Sequence, residues 1–479
     1  MIYFIIMNET RPMRREGYSV ELKKNQTVTL TVDGMNDFGN GVARADGKTV
    51  FVTGAVEGDT VTAQIIKVTP GYAVARCTEV LIPSPFRVDP LCHAAGCGGC
   101  TYRALSYERE KITKENDVRF AFRKAGLLDV KVLPLVSAGR TEGYRNKAQF
   151  PVAPDKNGDP VAGFYAPKSH RVVPAADCRL QSPTFSPIVS RLLAFFRKNG
   201  ITAYREETGT GDVRHLYLRC NCDASEILLT IVVNGRTLPH EKELCAMLQT
   251  DFPAIVGVVI NENRENTNVI CGKHYRLLYG KASVTDTLCG IRLTVAPQSF
   301  YQVNHDAAEL LYRKAAALAG LTGDEILLDL YCGIGSIGLT MADRVKLLVG
   351  IEIIPEAVEC AKENAAQNGI SNARFFCGDA ANAENLLKEA EKSLGKIVPD
   401  VVILDPPRKG CDGALISFIM DRLSPKRIVY ISCNPDTLAR DVTLFSGKYT
   451  VGDVTPVDLF PRTGHVEAVV CLEQRPDNR

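Results

Sequence analysis

Asp329-Leu-Tyr-Cys-Gly-Ile-Gly-Ser-Ile-Gly338 carries an apolar strand into a run of glycines and out into a helical pattern. Glycines at such a turn let a ligand approach backbone that side chains would otherwise cover. Gly333, Gly335 and Gly338 fit a dinucleotide fingerprint, and Glu352 closes the next strand about 20 residues on, where it can accept hydrogen bonds from ribose hydroxyls. That pattern serves a nicotinamide or an adenosyl-methionine site equally. Asp379, closing the third strand in Cys377-Gly-Asp379, adds a polar group at the same edge. It suits either the reading of an adenine or the capping of a helix that starts at Ala380.

Outward from this turn, Ile326 to Tyr331, Leu347 to Glu352, Arg374 to Cys377, Val401 to Leu404 and Arg427 to Ser432 are short apolar strands with helical patterns between them. The alternation predicts a doubly wound, mainly parallel, Rossmann-like α/β domain over 301–479. Residues 22–79 alternate apolar and polar positions between Gly/Asp/Asn turns, which predicts a small five-stranded β-barrel of the oligonucleotide-binding (OB) kind over 20–80. The three prolines of Leu81 to Pro90 mark a linker. Residues 81–300 read as a mixed α+β middle domain, with a helix over Ser106 to Ala125 and strands over Arg214 to Leu218, Ile227 to Val233 and Ile255 to Ile260. The pattern there does not set a topology.

The 479 residues are 45% hydrophobic and 23% charged, the balance of a soluble globular chain of about three domains rather than a disordered or fibrous one. A net charge of +2 excludes a histone-like polycation, so any nucleic-acid surface is a local patch. Residues 101–150 hold 11 Lys+Arg against 6 Asp+Glu, a net of +5. Candidate phosphate donors there are Arg103, Arg109, Lys111, Lys114, Arg119, Arg123 and Lys124, although Glu108, Glu110 and Glu115 among them argue for an ordinary solvated helix face. Tyr144-Arg145-Asn146-Lys147 follows the helix, with Phe150 near, and its resemblance to a motif of an RNA-modifying family favours it as the RNA contact. No apolar run near the start reaches the roughly 20 residues of a membrane helix, and Tyr3 to Met7 is shorter than a signal-peptide core. It reads as a ragged start, with Met7 or Met13 as alternatives. Sixteen scattered cysteines with no secretory segment ahead of them are expected to be reduced thiols of a cytoplasmic protein.

Asp405-Pro-Pro-Arg-Lys-Gly410 and Ser432-Cys-Asn-Pro435 follow the fourth and fifth strands, so both fall at the edge where open sheets bind ligands. Uracil C5 is a poor nucleophile, and a thiolate adding to C6 converts the ring to an enolate that can take an activated methyl group. Cys433, at a strand end before Asn-Pro, is placed for that step; the plainer alternative is a small buried thiol. A base must then remove the C5 proton, and Glu467 in Gly464-His-Val-Glu467 is the candidate, although composition by itself would make it a surface charge. Arg408 stands where amino-methyltransferases acting on adenine or guanine place a stacking aromatic, which counts against them. Cytosine-5 methylation is the close rival, but the Asp405-Pro-Pro407 motif lacks the additional cysteine its enzymes carry.

Cys92, Cys97 and Cys100 form Cys-x4-Cys-x2-Cys, and Cys178 lies far downstream in Asp177-Cys-Arg179. Four thiolates suit tetrahedral zinc or a [4Fe-4S] cluster, and spacing leaves both open, with His93 as a substitute for Cys92.

Together the barrel, the cysteine set, Gln298-Ser-Phe-Tyr-Gln-Val-Asn304, Asp-Leu-Tyr-Cys-Gly, Asp-Pro-Pro-Arg, Ser-Cys-Asn-Pro and His-Val-Glu resemble the RNA uracil-5-methyltransferase family. The resemblance implies Cys433 as nucleophile and Glu467 as general base. It places Gln302, Tyr331, Glu352 and Asp405 in the S-adenosyl-L-methionine and active-site pocket, with Ser336 at a position that is often Asn. It makes the barrel a TRAM domain and the cysteines ligands of a [4Fe-4S] cluster, although five residues rather than four usually separate the first two. It points to 23S ribosomal RNA as partner, with no DNA and no membrane, because barrel and cluster occur together in that branch. A transfer-RNA substrate is the alternative within the family, and a nicotinamide oxidoreductase with an iron-sulfur centre is the alternative from another class.

Overall fold

The computed structural model describes residues 21–90, 92 and 94–476. The expected ragged start at Tyr3 to Met7 and the alternative ligand His93 lie outside the described residues. The chain divides into two compact units. Of the described residues, the first holds 21–90, Cys100–Thr113 and Arg462–Gly464; the second holds 92, 94–99, Lys114–Pro461 and 465–476.

In the first unit β1 (Thr27–Met35), β2 (Gly41–Ala45), β3 (Lys48–Thr53), β4 (Thr60–Val68) and β5 (Tyr72–Ile82) close a barrel in the order β1-β2-β3-β5-β4. Period-two alternation turns Leu30, Val32, Val50, Val52, Val61, Ala63, Ile65, Ala73 and Ala75 inward, and these side chains fill the barrel. Its closure comes from β1 pairing antiparallel with β4 and β3 pairing parallel with β5. The Asp59 carboxylate, fully buried, accepts from the Val56 and Ser84 amides and from the Arg87 guanidinium, which ties the proline-rich linker down.

In the second unit a seven-stranded sheet runs β12-β11-β10-β9-β6-β7-β8. Its strands are β6 (Lys147–Pro154), β7 (Pro160–Tyr165), β8 (Val172–Pro174), β9 (Val213–Cys220), β10 (Ile227–Val233), β11 (Ile255–Glu262) and β12 (His274–Gly280). β9 and β10 are buried along their whole length, and α2 (Phe185–Lys198) lays Phe185, Ile188, Val189, Leu192 and Phe196 into the same core. The hairpin β13 (Val284–Leu288) and β14 (Ile291–Val295) follows α3 (Glu241–Asp251) and β12 in the chain and precedes α4 (His305–Ala319).

The rest is the doubly wound sheet. β15 (Ile326–Leu330), α5 (Ser336–Leu339), β16 (Leu347–Glu352), α6 (Pro355–Gln367), β17 (Ala373–Cys377), α7 (Ala383–Leu394), β18 (Val401–Leu404), α8 (Gly413–Phe418), β19 (Arg427–Ser432), α9 (Pro435–Phe445), β20 (Tyr449–Val451), β21 (Thr455–Val457) and β22 (Glu467–Gln474) follow in turn. The strand order is β17-β16-β15-β18-β19-β22-β20, with β15 to β19 parallel and β22 antiparallel to β19. The order reverses between β15 and β18, where open sheets of this class bind ligands.

The helix expected over Ser106 to Ala125 is α1 (Tyr107–Lys124), in which several of the candidate phosphate donors are taken up by acids. Lys114 is fully buried, its ammonium donating to Asp458 at 2.8 Å and to the Phe460 carbonyl at 3.1 Å. A buried ammonium held by a carboxylate anchors the fold and has no charge to offer a phosphate. Arg109 is likewise engaged by Glu57, and Lys111 and Arg119 pair with Glu108 and Glu115 along the helix. Among the described residues no helix is long and apolar enough to cross a membrane.

Candidate active site

The glycine turn forms as its sequence dictates. Gly333 and Gly335 adopt positive φ of 55° and 80°, and a Cβ at Gly338 would stand 2.7 Å from a carboxylate oxygen of Asp329. The Asp329 Oδ2 instead accepts the Gly338 amide at 2.9 Å, while its Oδ1 is buried with no partner. Tyr331, expected as the last residue of the strand, turns out of it at φ 66°. Its amide still bonds the Ile351 carbonyl, and its hydroxyl reaches the Cys411 thiol. Glu352, at the end of β16, accepts the Gly333 and Ile354 amides, one on each oxygen, and so braces the turn. Asp379 is exposed and accepts the Ala381 amide at 2.9 Å, which is the capping role.

A second chain of contacts starts on α4. Asn304 caps that helix, its Oδ1 accepting the Ala307 amide, so the preceding Gln302 is buried beside it. The Tyr312 hydroxyl lies 3.1 Å from the Ser336 hydroxyl, with the Gln302 side chain close by. Sequence reasoning passed over Tyr312, which sits in no motif and is brought in only by the packing of α4. It also gave Asp329 no role, although an acid inside the apolar run Ile326-Leu-Leu-Asp-Leu330 is a signal in itself.

The third group surrounds Cys433. Asn434 caps α9 through its side chain, Pro435 starts the helix, and Ser432 bonds the Asn434 amide and carbonyl, which fixes the half-buried Cys433 at the end of β19. Asn434 and Thr437 also donate to the Arg408 carbonyl, pinning the Asp-Pro-Pro-Arg-Lys-Gly turn against α9. The Arg408 guanidinium lies close enough to Cys433 to favour its thiolate and approaches His465 Nε2 at 3.3 Å. Glu467 opens β22 and is 4% exposed, so it is not the surface charge its composition suggested.

The electrostatics follow from that burial. Desolvation, reinforced by Asp405 and only partly offset by Arg408, pushes the Glu467 carboxyl up to about 8. Burial lifts Asp405 and Asp329 to about 7 each. Burial and the Glu467 charge push the Cys433 thiol up to about 11, against the pull of Arg408. Burial, with Arg408 close by, lowers His465 to about 4 and keeps it neutral. The free site thus holds carboxyls that give up their protons only around pH 7 to 8, an environment that a cationic ligand would relieve.

A carboxyl whose folded value stands above its unfolded value of about 4 keeps its proton after the unfolded chain has lost it. Its contribution to stability is complete below about pH 4 and is lost as pH rises through 7 to 8. The ligand-free protein is therefore expected to melt at lower temperature at pH 8 than at pH 5. Asp329→Asn, whose amide reproduces the protonated carboxyl, should flatten that slope in thermal unfolding; an unchanged slope would remove Asp329 as a source.

The profile of the tRNA (uracil-5-)-methyltransferase family matches residues 267–475, and that of the TRAM domain matches residues 21–78. A protein of Halalkalibacterium halodurans described as an uncharacterised RNA methyltransferase is 37% identical over 464 residues, covering 94% of this chain and 98% of its own. The chain belongs to the RNA uracil-5-methyltransferase family. It is accordingly an RNA methyltransferase with an N-terminal TRAM barrel and a C-terminal methyltransferase fold. A protein of Bacillus cereus, also described as an uncharacterised RNA methyltransferase, is 38% identical over 456 residues, covering 95% of this chain and 98% of its own. Among solved structures, the Pyrococcus abyssi tRNA (uracil-54, C5)-methyltransferase in complex with S-adenosyl-L-homocysteine superposes with a TM-score of 0.74 at 25% identity, over 93% of this chain and 100% of that one.

Proposed function

We propose that this enzyme uses S-adenosyl-L-methionine to methylate C5 of a uridine in ribosomal RNA through a covalent cysteine adduct. The observation that carries the reading is the gathering of Cys433, Glu467, Asp405 and Arg408 at the carboxyl edge of the sheet, next to the strand-to-helix glycine turn. Bound at that turn, the methyl donor supplies an electrophilic methyl on a sulfonium. Tyr331, Ser336, Glu352, Asp379 and Gln302 are the residues proposed to hold it, with Asp329 and Tyr312 behind them.

The Cys433 thiolate adds to C6, and the C5–C6 π electrons become those of an enolate. C5 takes the methyl group as the methyl–sulfur bond of the donor breaks, its electron pair staying on the sulfur as a neutral thioether. Glu467, as carboxylate, removes the proton from C5; the C6–S bond breaks and the C5–C6 double bond returns. Arg408 stabilises the thiolate form of Cys433, and the buried environment keeps water from the enolate.

Cys92, Cys97, Cys178 and Cys100 are proposed ligands of a [4Fe-4S] cluster. Three of them lie in the second unit, where the Cys97 sulfur accepts the Gly99 amide at 3.4 Å and the Cys178 thiol is close enough to Cys92 to feel its charge. An amide aimed at a sulfur is the support that cluster thiolates receive. The cluster would brace the fold; methyl transfer moves no net electrons.

Ribosomal RNA is favoured by the co-occurrence of barrel and cysteine set. Transfer RNA is the second reading, favoured by the name of the Pyrococcus abyssi neighbour. Incubating the enzyme with unmodified 23S RNA and unmodified transfer RNA and labelled methyl donor separates them. Incorporation into 23S RNA, mapped by mass to C5 of uridine, is expected; incorporation into transfer RNA alone would transfer the assignment.

A further inference from the structure

We infer that Lys147 and Arg219, with Arg145 beside them, form a phosphodiester-binding site that grips the RNA strand next to the target uridine. This rests on the reading of the substrate as RNA. In the register of β6 against β9, Lys147 stands directly opposite Arg219, and a like-charge pair at opposed positions of an antiparallel ladder destabilises the sheet. Arg145, two residues before Lys147, continues the same face. Among the described residues no acidic side chain pairs with Lys147 or Arg219. The groups that act on the Lys147 ammonium are the two guanidiniums, which with burial hold it down at about 8, and the Cys271 thiol.

Arg219 is 1% exposed, yet only one of its nitrogens is engaged: Nη2 donates to the Tyr217 hydroxyl at 2.7 Å and to the Ser299 carbonyl at 2.8 Å. Nε and Nη1 are buried without a protein acceptor. A guanidinium left with two unmatched donors beside an uncompensated ammonium is a sink for an anion. Lys147 and Arg145 are only partly buried, so the anion can arrive from solvent on their side and be held from behind by the field of Arg219.

The location identifies the anion. Ser299 belongs to the segment that delivers Gln302 to the active site, and Asn146, between Arg145 and Lys147, donates to the Gln302 carbonyl at 3.0 Å. Phe300, on the same segment, is 67% exposed. An anion held here sits against the segment that carries Gln302, which fits a backbone phosphate of the substrate strand rather than a free metabolite.

The test uses Lys147→Met and Lys147→Arg in the full chain. Lys147→Met should raise the melting temperature, because the opposed charge is gone, while the slope of log affinity for a substrate RNA stem-loop against log salt drops by about 0.7 to 1. Binding of S-adenosyl-L-homocysteine should not change, and Lys147→Arg should restore the slope. An unchanged slope, or a Lys147→Met protein no more stable than wild type, would overturn the site. Should Lys147→Met fail to fold, inorganic phosphate decides: it is expected to raise the wild-type melting temperature above that in chloride of equal ionic strength, and no rise would overturn the site. RNA that binds with the Lys147-dependent slope but is never methylated would instead refute the substrate reading and leave the site standing.

Discussion

Cys433→Ala is expected to lower kcat/KM for RNA methylation by about 10⁴-fold or more while the protein still folds and still binds S-adenosyl-L-homocysteine. The expectation comes from the chemistry of the ring, since without addition at C6 there is no enolate at C5 to accept a methyl group. It also comes from the position of the sulfur, which Asn434, Ser432 and the start of α9 fix at the end of β19. The thiol is only half-buried and contributes little packing, so its loss should barely move the melting temperature. Steady-state kinetics with labelled methyl donor checks this; a variant retaining a tenth of wild-type activity would show that Cys433 is not the nucleophile.

Glu467→Gln should behave differently, because it removes the proton acceptor and leaves the nucleophile. Methyl transfer is expected in a single turnover, followed by slow release, so that steady-state kcat falls about 10² to 10⁴-fold and the enzyme accumulates bound to methylated RNA. In the wild-type enzyme the acid limb of the pH–rate profile should climb through the region near 8, where the buried carboxyl loses its proton. Glu467→Gln should lack that limb. Rapid quench followed by denaturing electrophoresis distinguishes the outcomes: wild-type turnover in the variant, or no adduct at all, would take the base role away from Glu467.

The parallel sheet was legible because each strand is a short apolar run ended by glycine or a polar residue, and the barrel because its alternation has period two. Tyr331 was misplaced by one residue because an aromatic next to a β-strand looks like more strand, whereas its backbone turns to φ 66° to bring the chain into the glycine turn. The seven-stranded sheet was not legible as a topology, since β6 pairs with β9 between residues as distant in the chain as Lys147 and Arg219, a register no local pattern encodes. Its member strands were nonetheless visible as apolar runs.

Within the site, Cys433 and Asp405 announced themselves by their place after strands. Glu467 did not, because nothing in Gly464-His-Val-Glu467 shows that the carboxylate is buried. Lys114 misled in the opposite direction: a lysine in a charged helix reads as solvated, and only the partner Asp458, 344 residues away, reveals it as an internal ion pair. Tyr312 is the same problem without a charge to flag it.

The most direct measurement is the identity of the residue captured by RNA carrying 5-fluorouridine. Fluorine at C5 cannot leave as a proton, so the adduct formed after methyl transfer has no exit. Digestion and peptide mass mapping should find the nucleotide on Cys433 and on none of the other 15 cysteines among the 16 of the chain. Attachment to a different cysteine, or methylation of uridine at C5 with no adduct trapped, would contradict the account.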